Sequence, residues 1–413
     1  MLLTYLLRHL VSQGTLRVID AQGTVQTFAG GDPGPTITIR LRDRSLGRKL
    51  FLNPRLYLGE AFMNGTLIIE DASVYDFLDF LGANMNLAPH TLLTPLYNGF
   101  GRAFRVFQQY NPLRRARANV AHHYDLSDTL YDLFLDADRQ YSCAYFLVPD
   151  QGIEEAQANK KRHLAAKLLL RPGQKVLDIG CGWGGLALYL ARECDVSVTG
   201  LTLSSEQLKV ARQRAEAAGL ADRVRFELCD YREAEGRYDR IVSVGMFEHV
   251  GVVHYPTFFR KVKELLAEDG VALLHSIGRH DGPGATNPWL RKYIFPGGYS
   301  PAVSEVVPVV ERTGLWITDI EILRLHYAET LRAWRQRFNA NRERVRALYD
   351  ERFCRMWEFY LAGSEIAFRH QGHMNFQMQL AKRVDTVPLT RDYITDFERS
   401  HRAPAAERIR ARA

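Results

Sequence analysis

The stretch VLDIGCGWGG, from Val176 to Gly185, decides the fold class. A short apolar run ends at Asp178 and Ile179, a glycine turn follows, and LALYLAR continues with the composition of a helix. Glycines in such a turn let the backbone approach a ligand closely at the carboxyl end of a buried strand. The stretch therefore predicts a strand–turn–helix unit with a ligand site at its turn.

The order of the glycines and the acid indicates the kind of ligand. A dinucleotide site would read GxGxxG, with an acidic residue about 20 residues later. Here the turn reads GxGxGG, and its acid, Asp178, comes before it. A carboxylate beside the turn favours a cationic ligand over a pyrophosphate. S-adenosylmethionine (SAM) has an ammonium and a sulfonium group and therefore matches this pattern.

Apolar runs on both sides of this unit extend it into a sheet. Strands are predicted at Lys175–Ile179, Val196–Leu201, Val224–Leu228, Arg240–Val244 and Val271–Ile277. Such runs are typical of parallel strands that are buried on both faces. A long helical stretch from Glu329 to about Arg369 and a last edge strand at Phe376–Val384 are expected to follow. The sequence thus predicts a doubly wound, Rossmann-like α/β domain over residues 120–398.

The N-terminal part has a different pattern. Between Leu16 and Ile69, the β-branched runs LRVID, VQTF, TITIRL, KLFL and TLIIE alternate with turn clusters such as AGGDPGP. Helices are expected near Pro54–Met63 and Ser73–Leu81. This pattern predicts a small strand-rich α+β domain over residues 1–82, and we expect it to associate with lipid.

The basic charge of the chain is concentrated in two segments. The 413 residues carry a formal net charge of +7, with 54 Lys and Arg against 47 Asp and Glu. Five arginines lie between Arg102 and Arg117, within a connector over residues 83–119 that also contains several aromatics. The tail, residues 399–413, has five arginines and one glutamate. The composition of the connector is typical of a segment at an anionic lipid surface. It is equally consistent with an ordinary linker helix.

Several compartments and sites are disfavoured by the sequence. Five cysteines without CxxC spacing fit a reducing cytosol and no structural metal site. The uncharged stretch from Phe80 to Arg102 contains prolines and asparagines, which make a membrane span improbable. The N-terminus reaches Arg8 too soon for a signal peptide. We therefore expect a cytoplasmic protein that meets a membrane only at its surface.

Polar residues at the ends of other predicted strands extend the candidate site. Thr202 and Gln207 can bond a ribose, although this stretch also has a structural explanation, since Ser204 or Ser205 is a natural helix N-cap. Asp230 and Tyr231 can frame an adenine.

A second group of polar residues follows the fourth and fifth strands. Glu248 and His249 come after the fourth strand, the fifth carries His275 and Ile277, and Tyr327 lies downstream. Taken singly, Glu248 and His249 could simply begin a helix, and His275 could be a core histidine. Their convergence on one sheet edge favours a catalytic role.

Seven motifs in this order resemble the cyclopropane-fatty-acyl-phospholipid synthase family, which includes the mycolic acid cyclopropane synthases. They are HHYDLSD (122–128), YSCAYF (141–146), VLDIGCGWGG (176–185), GLTLSSEQ (200–207), SVGMFEHVG (243–251), HSIG (275–278) and YIFPGGYSP (293–301). The N-terminal extension is similar to that of the branch acting on phospholipids. The resemblance implies a class I SAM-dependent methyltransferase that converts a cis double bond of a membrane phospholipid into a cyclopropane ring.

The resemblance also assigns site residues. It implies that SAM is bound by Tyr141, Ser142, Asp178, Gly180, Cys181, Gly182, Trp183, Gly184, Thr202, Leu203, Ser204, Gln207, Asp230 and Tyr231. It implies that a bicarbonate, the base for the methyl proton, is held by Cys143, Glu248, His275, Ile277 and Tyr327. A homodimer at the inner membrane surface is expected in the same way. Many relatives carry a cysteine where this chain has Ser364, which argues against covalent cysteine catalysis. Cys354 is interpreted as a packing residue.

Three alternatives to this function have different signatures. A relative could stop at a methyl-branched or methylene product, or feed a furan fatty acid pathway, with the same SAM site. A nucleic-acid methyltransferase is disfavoured, since no NPPY-type base-flipping loop is present. A non-catalytic lipid carrier would have little need for the Gly180–Gly184 turn. We therefore expect no nucleic-acid partner.

Overall fold

The computed structural model describes residues 2–87 and 127–402. The predictions for most of the connector, for most of the HHYDLSD motif and for the tail beyond residue 402 lie outside the described residues.

The N-terminal region is a four-stranded sheet with helices packed against it. Its helices are α1 (Leu2–Leu10), α2 (Leu46–Leu52), α3 (Pro54–Met63) and α4 (Val74–Leu87), and its strands are β1 (Gln13–Ile19), β2 (Val25–Ala29), β3 (Asp32–Leu41) and β4 (Leu67–Ile69). The strand order is β2-β1-β3-β4, with β1 parallel to β3. The prediction of a strand at KLFL is wrong, because these residues end α2. Leu46 and Leu50, one helical turn apart, are both buried there.

The C-terminal region is built on a seven-stranded sheet. Its strands are β5 (Lys175–Ile179), β6 (Ser197–Thr202), β7 (Val224–Leu228), β8 (Tyr238–Val244), β9 (Leu266–Arg279), β10 (Trp316–Ile322) and β11 (His373–Ala381). They are ordered β10-β11-β9-β8-β5-β6-β7, and β11 runs antiparallel to both of its neighbours. The chain leaves β5 for β6 on one side, and β8 pairs with its other side. The switch point of a doubly wound sheet therefore lies at the carboxyl end of β5.

Helices cover both faces of this sheet. They are α5 (Asp128–Asp132), α6 (Ile153–Lys167), α7 (Gly185–Cys194), α8 (Ser205–Ala217), α9 (Tyr255–Leu265), α10 (Pro288–Tyr293), α11 (Val303–Thr313), α12 (His326–Ala340), α13 (Arg342–Leu348), α14 (Glu351–His370) and α15 (Asp392–Ser400). The five predicted central strands are confirmed, although β6 is shifted by one residue and β8 and β9 begin earlier. No helix among the described residues is long and apolar enough to cross a bilayer.

The predicted last edge strand is wrong in its position. The observed strand, β11, lies between β9 and β10, and β10 forms the edge. The amides of Asn375, Gln377 and Gln379 are buried in β11, where the first two contact the His275 ring and the third contacts the Tyr393 hydroxyl. These polar contacts offset part of the cost of placing amides in an interior strand, while the side-chain oxygens of Asn375 and Gln377 have no partner among the described residues.

The predicted long helical stretch is divided into α12, α13 and α14. The break before α14 is at Asp350, whose carboxylate accepts a hydrogen bond from the Phe353 amide at 2.6 Å. This bond satisfies one of the free N–H groups at the start of α14. Ala362 and Ile366 of α14 are buried in the core of the N-terminal region. The two regions therefore share α14 as a common wall.

Candidate active site

The glycine turn forms a narrow loop at the carboxyl end of β5. The amides of Gly180 and Cys181 both donate to the carbonyl oxygen of Leu201, each at 2.9 Å. Gly180 has φ +86°, and a Cβ there would lie 2.7 Å from the side chain of Met246. Gly184 has φ +81°, and its Cβ would lie 2.5 Å from Phe226. A larger residue at either position would fill the turn or displace its neighbour.

A cavity opens directly against this turn and encloses about 1270 Å³ of empty space, its open mouth included. Its walls include twelve of the residues predicted to bind SAM, which are Tyr141, Ser142, Asp178, Gly180, Cys181, Gly182, Trp183, Thr202, Leu203, Gln207, Asp230 and Tyr231. The other two predicted residues, Gly184 and Ser204, are not among its lining residues. Both instead act as N-caps, Gly184 for α7 and Ser204 for α8, where the Ser204 hydroxyl accepts from the Gln207 amide.

Asp178 gives the cavity an acidic group. Its side chain is buried, and Oδ2 has no hydrogen-bond partner among the described residues. Burial raises the pKa of this carboxyl to about 7. A cation in the cavity would lower this pKa and pair with the carboxylate, so the group fits the positively charged end of SAM.

The remaining walls supply neutral and paired groups. The Thr202 hydroxyl donates to Oε1 of Gln207 at 3.0 Å, at the position predicted for a ribose. Both oxygens of Asp230 are held by the Arg232 guanidinium, at 2.8 and 2.7 Å. The ion pair with Arg232 therefore fixes the Asp230 carboxylate and balances its charge where it lines the cavity beside the ring of Tyr231.

An aromatic cluster lies next to the cavity. Its members are Tyr131, Phe134, Tyr141, Trp334, Trp357 and Tyr360. Tyr141 belongs to the cavity wall as well, and its hydroxyl shares a hydrogen bond of 2.8 Å with that of Tyr360. Trp183, another wall residue, contacts Tyr131 with ring centroids 5.0 Å apart. The cavity is therefore bordered by a buried surface of aromatic rings.

Three of the five residues assigned to bicarbonate meet at the ends of β8 and β9. Oε1 of Glu248 accepts from the backbone amide of Ile277 at 2.6 Å, and Oε2 is buried without a hydrogen-bond partner among the described residues. Burial raises the pKa of Glu248 to about 7. The amide of Gly245 donates to the His275 carbonyl at 2.9 Å, which fixes the two strand ends together.

The His275 ring is buried between two amides. The amide nitrogens of Asn375 and Gln377 lie 3.3 and 3.2 Å from its Nε2 and Nδ1. Burial lowers the pKa of His275 to about 3, so the ring is neutral at physiological pH.

Cys143 and Tyr327 are joined to this group through shared packing. Both are buried in the same hydrophobic cluster, and Ile277 packs against it. The amide of Ala144 donates to the Thr330 hydroxyl at 3.0 Å, and Thr330 lies one turn after Tyr327 on α12. Burial raises the pKa of the Cys143 thiol, which makes it a poor nucleophile. None of the five is among the cavity's lining residues; Cys143 and Tyr327 belong to the hydrophobic cluster against which Ile277 packs.

The structure also adds residues that sequence reasoning missed. Arg139 and Gln140 line the cavity beside Tyr141, and Met246 lines it opposite Gly180. Lys160, on α6, is fully buried and bonded to the same loop. In the sequence, Lys160 stands among charged residues of a helix, so only its contacts reveal that it points inward.

The half-buried Ser364 and the buried Cys354 both lie on α14. Cys354 is fully buried in the hydrophobic cluster, as expected for a packing residue. The described part of the chain therefore offers no exposed thiol at this helix for covalent catalysis.

A seven-stranded sheet in which β11 runs antiparallel to the other six strands, with a glycine turn and a buried acid at its switch point, is the architecture of a class I SAM-dependent methyltransferase. The model of the mycolic acid cyclopropane synthetase family matches residues 111–378. The chain belongs to this family.

Two curated relatives match most of the chain. The cyclopropane-fatty-acyl-phospholipid synthase of Escherichia coli K12 is 38% identical over 348 residues, covering 84% of this chain and 88% of that protein. The tuberculostearic acid methyltransferase of Mycobacterium tuberculosis is 37% identical over 380 residues, covering 88% of this chain and 87% of that protein. Both alignments extend well beyond the length of the family match.

A solved relative shows a similar fold. The mycolic acid cyclopropane synthase CmaA1, crystallised with SAH and CTAB, is 35% identical with a TM-score of 0.61. The match covers 65% of this chain and 98% of that one. This chain is therefore a SAM-dependent methyltransferase of the cyclopropane synthase family.

Proposed function

We propose that this protein transfers the methyl group of SAM to the cis double bond of an unsaturated acyl chain in a membrane phospholipid, and that it closes a cyclopropane ring there. The observation that carries the proposal is the aromatic cluster beside the SAM cavity. An alkene is a weak nucleophile, so transfer depends on positioning and on surroundings that tolerate a carbocation. Tyr141 and Trp183 border both the cavity and this cluster.

The methyl group must lose a proton as the ring closes. A bound bicarbonate would supply the base for that proton. The residues that would hold it are Cys143, Glu248, His275, Ile277 and Tyr327. Oε2 of Glu248, which is buried and has no hydrogen-bond partner in residues 2–87 and 127–402, supports this assignment, because a carboxyl with a pKa of about 7 can donate to or accept from a small oxyanion. His275 is neutral and adds no competing charge.

The phospholipid substrate is supported by the extent of similarity to the Escherichia coli synthase, which covers 84% of this chain and so extends beyond the family match at residues 111–378. In our proposal, residues 1–82 form a lipid-associated domain, 83–119 a basic connector, 120–398 the methyltransferase domain and 399–413 a basic tail. Each basic residue near an anionic leaflet contributes about 1 kcal/mol. The two basic segments would thus hold a cytoplasmic enzyme reversibly at the inner membrane surface, as a homodimer.

This docking proposal has its own test. Charge reversal at Arg114, Arg115 and Arg117 is expected to weaken binding to anionic vesicles in a flotation assay, most clearly at low salt. Binding equal to that of the unmodified protein would count against a docking role for the connector.

A methyl-branched product is the second candidate. The similarity to the tuberculostearic acid methyltransferase, over 88% of this chain, favours it. Both candidates share methyl transfer to an alkene and differ in the fate of the proton and of the carbocation.

The proposed function is tested with purified protein, SAM, bicarbonate and dioleoyl phosphatidylglycerol vesicles. We expect a gain of 14 mass units per modified acyl chain, and fewer modified chains with Asp178→Asn at a limiting SAM concentration. Upfield cyclopropane protons in the NMR spectrum would separate the ring from a branched product. Absence of any mass gain with active SAM-binding protein would refute the phospholipid substrate.

A further inference from the structure

Lys160 is a buried cation beside the active site whose role the proposed transfer reaction does not assign. Its side chain is fully inaccessible to solvent. Nζ donates to Oε1 of Gln140 and to the hydroxyl of Ser142, both at 2.8 Å. Both acceptors are neutral. Burying an ammonium group is costly, and the nearby carboxylates of Asp136 and Asp138 offset only part of that cost, since burial still lowers the pKa of Lys160.

The partners of Lys160 belong to one wall of the SAM cavity. Gln140 and Ser142 both line the cavity, and Tyr141 between them reaches the aromatic cluster. Gln157, one turn before Lys160 on α6, donates to the carbonyl oxygens of Gln140 and Ser142 at 3.2 and 3.0 Å. Four hydrogen bonds from α6 therefore fix this wall.

The charge of Lys160 also acts on Asp178. Burial raises the pKa of Asp178, and the positive charge of Lys160 opposes this rise. Asp178 in turn helps burial to raise the pKa of the Cys181 thiol. Burial lowers the pKa of Lys160 itself to about 8, so the ammonium is charged at neutral pH. The groups facing Lys160 are Asp136 and Asp138 before the wall, Lys161 beside it on α6, Cys143 and His275.

We propose that Lys160 is a positioning residue: its hydrogen bonds fix the Gln140–Ser142 wall of the SAM cavity, and its charge favours the carboxylate form of Asp178, which lines the same cavity. Without this ammonium, a larger fraction of Asp178 would be protonated at neutral pH, and SAM binding would have to displace that proton. The inference rests on the SAM site of the proposed function and is independent of the lipid substrate.

The test compares SAM affinity by isothermal titration calorimetry between pH 6 and pH 9. Lys160→Met removes the charge and keeps the length, Lys160→Arg keeps the charge, and Lys209→Met removes an exposed lysine of α8 as a matched control. Loss of a nearby opposite charge raises a carboxyl pKa by about one unit or more. We therefore expect Lys160→Met to bind SAM about tenfold more weakly than the unmodified protein at pH 6 and nearly equally at pH 9.

Lys160→Arg should follow the unmodified protein more closely, and Lys209→Met should match it at every pH. Dividing each affinity by that of the unmodified protein cancels the titration of SAM itself. A ratio for Lys160→Met that is constant with pH would indicate a purely structural role and overturn the proposal. If that variant does not fold, the unmodified protein is compared with Asp178→Asn instead. The proposal would be overturned if the SAM affinities of these two proteins changed with pH in the same way. Failure of the unmodified protein to bind SAM would refute the proposed function.

Discussion

Replacing Glu248 by Gln separates the function of this carboxyl from its effect on stability. Gln keeps the side-chain length and the oxygen that accepts from the Ile277 amide at 2.6 Å. It removes a group whose pKa burial raises from 4.5 to about 7. Because the folded-state pKa is raised, the folded protein binds the proton more tightly than the unfolded chain does. The carboxyl therefore destabilises the fold increasingly as pH rises from 4.5 to 7, and by a constant amount above that.

The difference in pKa corresponds to about 3 kcal/mol at pH 8. We expect Glu248→Gln to raise Tm relative to the unmodified protein more at pH 8 than at pH 5, as measured by scanning calorimetry. We also expect turnover to fall by about 10²-fold or more, because the group that would hold the base is lost. SAM affinity should change little, since Glu248 is not a lining residue of the cavity.

Glu365→Gln is the matched control for this experiment. Glu365 is also buried, but Arg335 and Arg369 pair with it at 3.0 and 2.9 Å. Removing its charge takes this partner from Arg335 and leaves Arg369 with Glu329 at 2.9 Å, so Tm should fall. If Glu248→Gln turned over as fast as the unmodified protein, Glu248 would have no role in the reaction. If the difference in Tm between these two proteins did not change with pH, the argument from the ionisation of Glu248 would be refuted.

Three further substitutions test other parts of the site. Asp178→Asn should weaken SAM binding at least tenfold at pH 8 by calorimetry, because the buried carboxylate is the counter-charge of the ligand; equal affinity would contradict this. Gly184→Ala should lower Tm, since φ is +81° and the new Cβ would lie 2.5 Å from Phe226. Gly219→Ala, at φ +65° in open space, serves as its control for backbone strain alone. Ser364→Cys should leave turnover unchanged, and a large gain would revive covalent cysteine catalysis.

The central sheet and the SAM cavity could be predicted from the sequence because their signals are local. The strand before Gly180 is mostly apolar, it contains the acid Asp178, and it leads directly into the turn. Twelve of the fourteen predicted SAM-binding residues line one cavity. The exceptions, Gly184 and Ser204, adjoin the wall residues but are used as helix caps, an alternative that the sequence left open for Ser204.

The parts that were missed depend on contacts between distant segments. β10 contains Asp319 and Glu321, charges that disfavour a strand by local pattern. In the fold, Lys167 of α6 lies 3.4 Å from Asp319 and also pairs with Glu321. The same holds for Lys160, whose partners precede it by about twenty residues. Pairing of buried charges is a tertiary property, and no spacing within one element reveals it.

Isotope retention tests the central claim most directly. The protein is incubated with SAM carrying a CD₃ methyl group, bicarbonate and unsaturated phospholipid vesicles, and the acyl chains are then analysed by mass spectrometry and proton NMR. Ring closure predicts two retained deuterons per modified chain and upfield signals from the ring protons. Three retained deuterons in a methyl group would contradict cyclopropane formation. If the protein bound SAM but the acyl chains carried no deuterium, methyl transfer to this lipid would be contradicted.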